Sequence, residues 1–152
     1  MENRYPSVAV LLAAYNGINW IEEQVTSIIS QKNTSIEIFI SVDLSNDKTY
    51  EWCQDFAKEN INIKVLPYGK KFGGAAKNFF RLIRDVDFSR FDYVALADQD
   101  DIWNSGKLHH AIRVIEKDDL DGYSSDVTAF WGNGREKLVK KSFPQKKFDY
   151  FF

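Results

Sequence analysis

The chain has one cysteine, one methionine and two histidines in 152 residues, and these scarcities close off several classes of protein. A lone Cys53 can form neither an intramolecular disulfide nor a cysteine-based zinc site, which suits a reducing compartment. The formal charge of −2 lacks the basic excess that nucleic-acid binding demands. No apolar run approaches the roughly 20 residues of a membrane-spanning helix. The opening "MENRYPSVAV" puts an acid and a proline where a secretory leader carries its basic segment. The expectation is a cytoplasmic protein with no nucleic-acid partner. What is present, 44% hydrophobic and 28% charged residues, is enough for one folded domain with a sizeable core.

The apolar pattern changes period repeatedly. "SVAVLLAAY" (Ser7 to Tyr15) is a continuous run, as expected of a strand buried on both faces. Ile21, Val25, Ile28 and Ile29 then fall on one helical stripe, with Asn19 and Glu22 arranged as a cap. "IEIFISVD" (Ile36 to Asp43) predicts a second strand, and Asp47 a cap for a helix carrying Trp52, Cys53 and Phe56. "INIKVL" (Ile61 to Leu66) predicts a third strand, and "GAAKNFFRLIRD" a helix with Ala76, Phe79, Phe80 and Ile83 inward. "YVALAD" is the fourth strand, and Leu108, Ala111, Ile112 and Ile115 line a helix beyond Asn104. Four strand–helix units in succession predict an α/β fold with a doubly wound, mostly parallel sheet. Right-handed crossovers put the loops after strands one, two and four on one edge, where such sheets bind ligands.

That edge collects acids. Asp98, Asp100 and Asp101 follow the fourth strand directly, and like charges so close repel unless a cation relieves them. Asp98 and Asp100 can converge on one Mg²⁺ or Mn²⁺, whose shell also takes waters and substrate phosphates. Asp101 reads as a cap for the next helix, and Trp103 as packing beneath the loop. Asp43, ending the second strand, either accepts hydrogen bonds from a base or ribose or forms an Asx turn. Gly73-Gly74 in "KKFGGAAKNF" marks a tight turn or close backbone approach rather than a P-loop. Lys77, one turn into its helix, is placed to reach a base or phosphate, or else is solvated. His109 and His110 are adjacent on a helix and point apart, so they make no metal pair.

The segments "VAVLLAAYNG", "ISVDLSNDKT", "KKFGGAAKNF" and "VALADQDDIW", in that order, resemble the family 2 glycosyltransferases, particularly the bacterial rhamnosyltransferase-like branch. The resemblance runs from about Ser7 to about Leu108. It implies the A-type glycosyltransferase fold, a UDP- or dTDP-linked sugar donor, a glycan or lipid-linked acceptor, and inverting transfer in cell-surface polysaccharide synthesis. Under it, Ala14, Tyr15 and Asn16 line the nucleotide pocket and Asp43 binds the base or ribose. The acid and glycine that flank that position in the family are Val42 and Leu44 here. The segment Gly73 to Asn78 would close over the nucleotide, Asp98 would face the ribose and sugar, and Asp100 would hold the metal. The family's general base lies in the acceptor half, and none of Asp118, Asp119, Asp121 or Asp126 matches it.

Residues 1–120 therefore read as a nucleotide-sugar-binding domain. Residues 121–152 read as the start of an acceptor-side region, cut short, or as a basic aromatic tail. From Arg135 onward six Lys or Arg face two acids among Phe143, Phe148, Tyr150, Phe151 and Phe152. One rival reading is a non-catalytic module whose tail contacts a partner or a membrane face. Another, an aspartate-nucleophile phosphotransfer domain, expects Ser or Thr at position 102, where the chain has Ile102.

Overall fold

The computed structural model describes residues 4–140. The expectations for Phe143, Phe148, Tyr150, Phe151 and Phe152 lie outside them. The chain divides into two compact units, Met1–His109 and His110–Phe152.

The first unit is built on a four-stranded parallel sheet of order β3-β2-β1-β4. Its strands are β1 (Ser7–Ala14), β2 (Ser35–Val42), β3 (Ile63–Val65) and β4 (Tyr93–Asp98), separated by α1 (Ile21–Ile29), α2 (Thr49–Glu59) and α3 (Ala75–Asp85). The chain steps outward from β1 to β3 and then returns to the far side of β1. Right-handed crossovers consequently place α1 and α2 on one face and α3 on the other. Central β1 is buried along almost its whole length, which accounts for its unbroken apolar sequence. On one face Ala9, Leu11, Ala13 and Phe39 pack with Leu82 and Val86, with Phe79 and Phe91 at the margin.

Several local expectations need correction. Helix α1 has no side-chain cap from Asn19; Trp20 precedes its first turn, and the Gly17 carbonyl accepts from the N–H groups of Trp20 and Ile21. Its buried stripe carries Gln24 in place of Ile29, which is exposed. Strand β3 is shorter than Ile61 to Leu66, and Ile61 is 99% exposed. The largest departure is in α3: its buried residues are Asn78, Arg81 and Leu82, whereas Phe80 and Ile83 face outward. Apolar periodicity fails there because two polar side chains are held inside by hydrogen bonds to the sheet. On β4, an edge strand, burial alternates and leaves Val94 and Leu96 exposed.

Helix α4 (Lys107–Asp118) carries the chain into the second unit. There β5 (Val127–Phe130) pairs antiparallel with β6 (Glu136–Val139). Gly134, at φ 79°, supplies the left-handed position of the connecting turn. No helix among the described residues is long and apolar enough to cross a membrane.

Candidate functional site

The carboxyl ends of β2, β1 and β4 lie side by side, with Ala14 in register with Val42 and Ala13 with Asp98. With strands about 4.8 Å apart, the exits of β2 and β4 stand about 10 Å from one another across β1. Asp43 and Asp98 thus open one sheet edge, with Tyr15 and Asn16 between them.

The turn after β1 is sewn to the loop after β2. Asn16 N–H donates to Ser45 Oγ (3.0 Å), Gly17 N–H to Thr49 Oγ1 (2.7 Å) and Ile18 N–H to Asp47 Oδ2 (3.2 Å). Asn46 N–H in return donates to Asn16 Oδ1 at 2.9 Å. Asp47 also accepts from Thr49 N–H through its other oxygen, so it starts α2 as an Asx turn while holding the neighbouring loop. Burial alone would raise its carboxyl pKa; the hydrogen bonds from Thr49 and Ile18 outweigh this and lower it. Asn16 adopts φ 47°, within reach of asparagine at small cost. Ser45 and Thr49, which no periodicity singles out, are the acceptors that shape this edge.

Asp43 is 4% exposed and its two oxygens are occupied by backbone donors. Oδ1 accepts from Leu44 and Phe72 N–H, each at 2.7 Å, and Oδ2 accepts from Gly73 N–H at 2.8 Å. Burial would push this carboxyl up, but the N–H groups of Phe72, Gly73, Leu44 and Gly74 together hold it below the usual range. Gly73 and Gly74, at φ 77° and 153°, let the chain turn its N–H groups onto the acid. Asp43 thus anchors the segment before α3, and its bond to the adjacent Leu44 N–H is not the two-residue contact of an Asx turn.

The same segment is held from behind. Arg81 reaches from α3 to Ser41 Oγ (2.9 Å) and to the Pro67 carbonyl, with its guanidinium 5.0 Å from the Phe72 ring centre. Asn78 donates to the carbonyls of Ser41 and Ala14 and accepts the Ser41 hydroxyl. Ala14 therefore offers a carbonyl already in use. Lys77 is exposed, one position before Asn78. Tyr15 is also exposed, at 52%.

At the end of β4, burial first, and then the charges of Asp101 and Asp100, raise the Asp98 carboxyl pKa. Asp101 is raised by burial and by Asp100, with Lys107 opposing. The Lys107 ammonium stands over the Trp103 ring at 4.2 Å, and Trp103 is buried under the loop as expected. Asp101 does not cap α4, which starts six residues later with Lys107 N–H on the Asn104 carbonyl. Lys107 thus offsets part of the crowding at Asp101, and Asp98 lies beside both Asp101 and Asp100 at the end of β4. Among the described residues no three His, Cys, Asp or Glu are grouped to hold an ion. Two carboxylates suit Mg²⁺ or Mn²⁺ when phosphate oxygens and water complete the shell. Cys53, buried, has its thiol pushed to about 12 by burial and by Asp47, which leaves it no role as a nucleophile.

The glycosyl transferase family 2 model matches residues 9–151. The chain is 49% identical over 142 residues to the dTDP-rhamnosyl transferase RfbG of Shigella flexneri, covering 93% of this chain and 49% of that protein. It is 32% identical over 116 residues to the putative teichuronic acid biosynthesis glycosyltransferase TuaG of Bacillus subtilis (strain 168), covering 76% of this chain and 44% of that one. It spans about half the length of these curated relatives. Among solved structures, S. aureus TarS 1–349 in complex with UDP-GlcNAc superposes with a TM-score of 0.63 at 19% identity, over 84% of this chain and 41% of that chain. The mannosyltransferase PcManGT from Pyrobaculum calidifontis, in complex with GDP-Man and Mn²⁺, gives 0.63 at 20% identity, over 74% and 33%. The shared fold is that of A-type glycosyltransferases.

Proposed function

The chain belongs to glycosyl transferase family 2, and from that premise we propose that its first unit binds the nucleotide-sugar donor of an inverting sugar transfer. The single observation that carries this reading is the edge on which β2 and β4 end in acids about 10 Å apart, flanking the turn after β1. One acid is tied into a loop and the other stands in a cluster of three carboxylates, which gives the edge two chemically different ends. The Asp43 end suits a neutral donor such as a base N–H or a ribose hydroxyl. The Asp98–Asp100 end suits a cation and, through it, a diphosphate. The relative named for dTDP-rhamnosyl transfer supports a dTDP-linked donor over a UDP-linked one, and the relative named for teichuronic acid biosynthesis supports a polysaccharide product.

In this reading the base lies against the backbone of Ala14 and Tyr15, beside Asn16. Asp43 takes the base or ribose, Lys77 a base or phosphate, and Asp98 the ribose and sugar side. Asp100, with Asp98, would hold Mg²⁺ or Mn²⁺, which when bound neutralises charge on the departing diphosphate. In the reaction an acceptor hydroxyl oxygen bonds to the anomeric carbon from the opposite side, and the carbon–oxygen bond to the diphosphate breaks with its electron pair. A carboxylate outside the residues assigned here takes the hydroxyl proton. Residues 1–120 would be the donor-binding part, and residues 121–152 the start of an acceptor-side region at the inner face of the membrane. Calorimetric titration with dTDP and UDP, with and without Mn²⁺, tests this; no heat for either nucleotide at millimolar concentration with Mn²⁺ ends it.

A further inference from the structure

We propose that Gln99, the residue between the two site carboxylates, is a positioning residue that locks the turn after β1 to the loop after β4. The inference rests on the donor-site reading above and adds what keeps the two ends of that site at one spacing.

Pairing of β1 with β4 stops at Ala13 opposite Asp98. Two residues on, Tyr15 still has a backbone N–H and C=O to satisfy. The Gln99 carboxamide meets both: Oε1 accepts from Tyr15 N–H, and Nε2 donates to the Tyr15 carbonyl at 2.8 Å. A carboxamide offers the donor and the acceptor of a peptide group, so the side chain extends the ladder by one rung. Ionised glutamate lacks the donor and methionine offers no donor and only a weak acceptor, so an amide of this length is what makes the pair.

Gly17 supplies the second, independent observation. A Cβ at Gly17 would stand 2.6 Å from Gln99 Oε1 and 2.8 Å from its Cδ. The Gly17 backbone is not in the left-handed region, so a side chain there is limited by clearance alone, and it would have to push the end of Gln99 off Tyr15. The glycine and the amide are therefore one device. Asp98 and Asp100 flank Gln99 in the chain, and Asn16 lies between Tyr15 and Gly17, so the device ties the nucleotide turn to the carboxylates. Fixing the two ends in advance lets occupation of one favour the other.

Four proteins test it: wild type, Gln99→Ala, Gly17→Ala and the double variant. For each, dTDP affinity is measured by calorimetry with and without Mn²⁺, and unfolding by urea. The ratio of the two affinities reports how well the metal end assists the base end. We expect each single variant to lower that ratio about tenfold, the scale of a lost pair of hydrogen bonds. In the Gln99→Ala background, Gly17→Ala should change neither the ratio nor the urea midpoint further, because the atoms it would strike are gone. A lower midpoint with an unchanged ratio makes Gln99 merely structural and overturns the proposal, as do additive effects of the two substitutions. If the wild type binds no dTDP, the donor-site reading fails and takes this inference with it; if it binds and the ratio holds in Gln99→Ala, this inference fails alone.

Discussion

Asp43→Asn isolates the carboxylate that ties the segment before α3 to the end of β2. The wild-type oxygens accept three backbone N–H groups at 2.7–2.8 Å, two on Oδ1 and one on Oδ2. Asparagine keeps one oxygen, loses the charge behind all three bonds, and turns an N–H₂ toward Gly73 N–H. Hydrogen bonds to a charged group contribute about 1.5–3 kcal/mol each, and the exposed loop recovers part of the loss by rehydration. The net cost should be about 2–3 kcal/mol at neutral pH, or roughly 1 M in the urea midpoint. The four tryptophans provide the fluorescence signal. The pH dependence separates charge from shape. The folded carboxyl titrates below the ordinary range because the donors outweigh burial. Its stabilisation is complete above the unfolded value of about 3.9 and is lost as pH falls through the folded one. The gap between wild type and variant should therefore narrow below about pH 4, while groups such as Glu37 and Asp47 titrate alike in both proteins. Amide exchange at Phe72 and Gly73 should quicken in the variant at pH 7. A gap that stays constant from pH 7 to below pH 3 would refute the reasoning.

The inverted face of α3 makes a paired prediction. Leu82→Ala should cost about 2–5 kcal/mol in urea unfolding, and Phe80→Ala less than about 1 kcal/mol, the reverse of what apolar size implies. Asp100→Asn should abolish the gain in dTDP affinity from Mn²⁺ measured by calorimetry, whereas Asp101→Asn, at the carboxylate that Lys107 serves, should retain most of it. Asp98→Asn should raise the thermal midpoint of the metal-free protein at pH 7, because it removes a carboxyl crowded by two other acids; a lower midpoint would contradict the repulsion.

The parts of this protein legible in the sequence are those set by neighbours close along the chain. A continuous apolar run marks β1 because the strand is central and buried on both faces, while β2, also central, is buried from Ile38 onward with Glu37 and Ser41 interrupting its run. The acids at 43 and 98–101 could be placed on one edge because parallel topology puts every strand's carboxyl end there. The inner face of α3 could not be read this way. Asn78 and Arg81 are buried through bonds to Ser41, 37 and 40 residues away, and nothing local announces those partners. Gln99 is illegible for the same reason, since it is bound to a residue 84 positions distant.

These omissions have a common cause. Where parallel strands end, the backbone still carries donors and acceptors, but the neighbouring strands turn away and no ladder remains to satisfy them. Side chains take over: Asp43 and Gln99 as already described, Asn78 on the carbonyls of Ala14 and Ser41, and Tyr68, whose hydroxyl accepts from Ser45 N–H and donates to Ser45 O. Each replaces a rung of the sheet with a polar group that has a fixed reach. A ligand-binding edge needs this, because an apolar cover would close the cleft and water alone would leave the loops unfixed. The residues that hold such an edge are therefore polar, non-periodic and far from their partners in sequence. Pattern reading assigns those same properties to solvent-facing loops, so the supports of a site of this kind emerge only once the strands have been laid side by side.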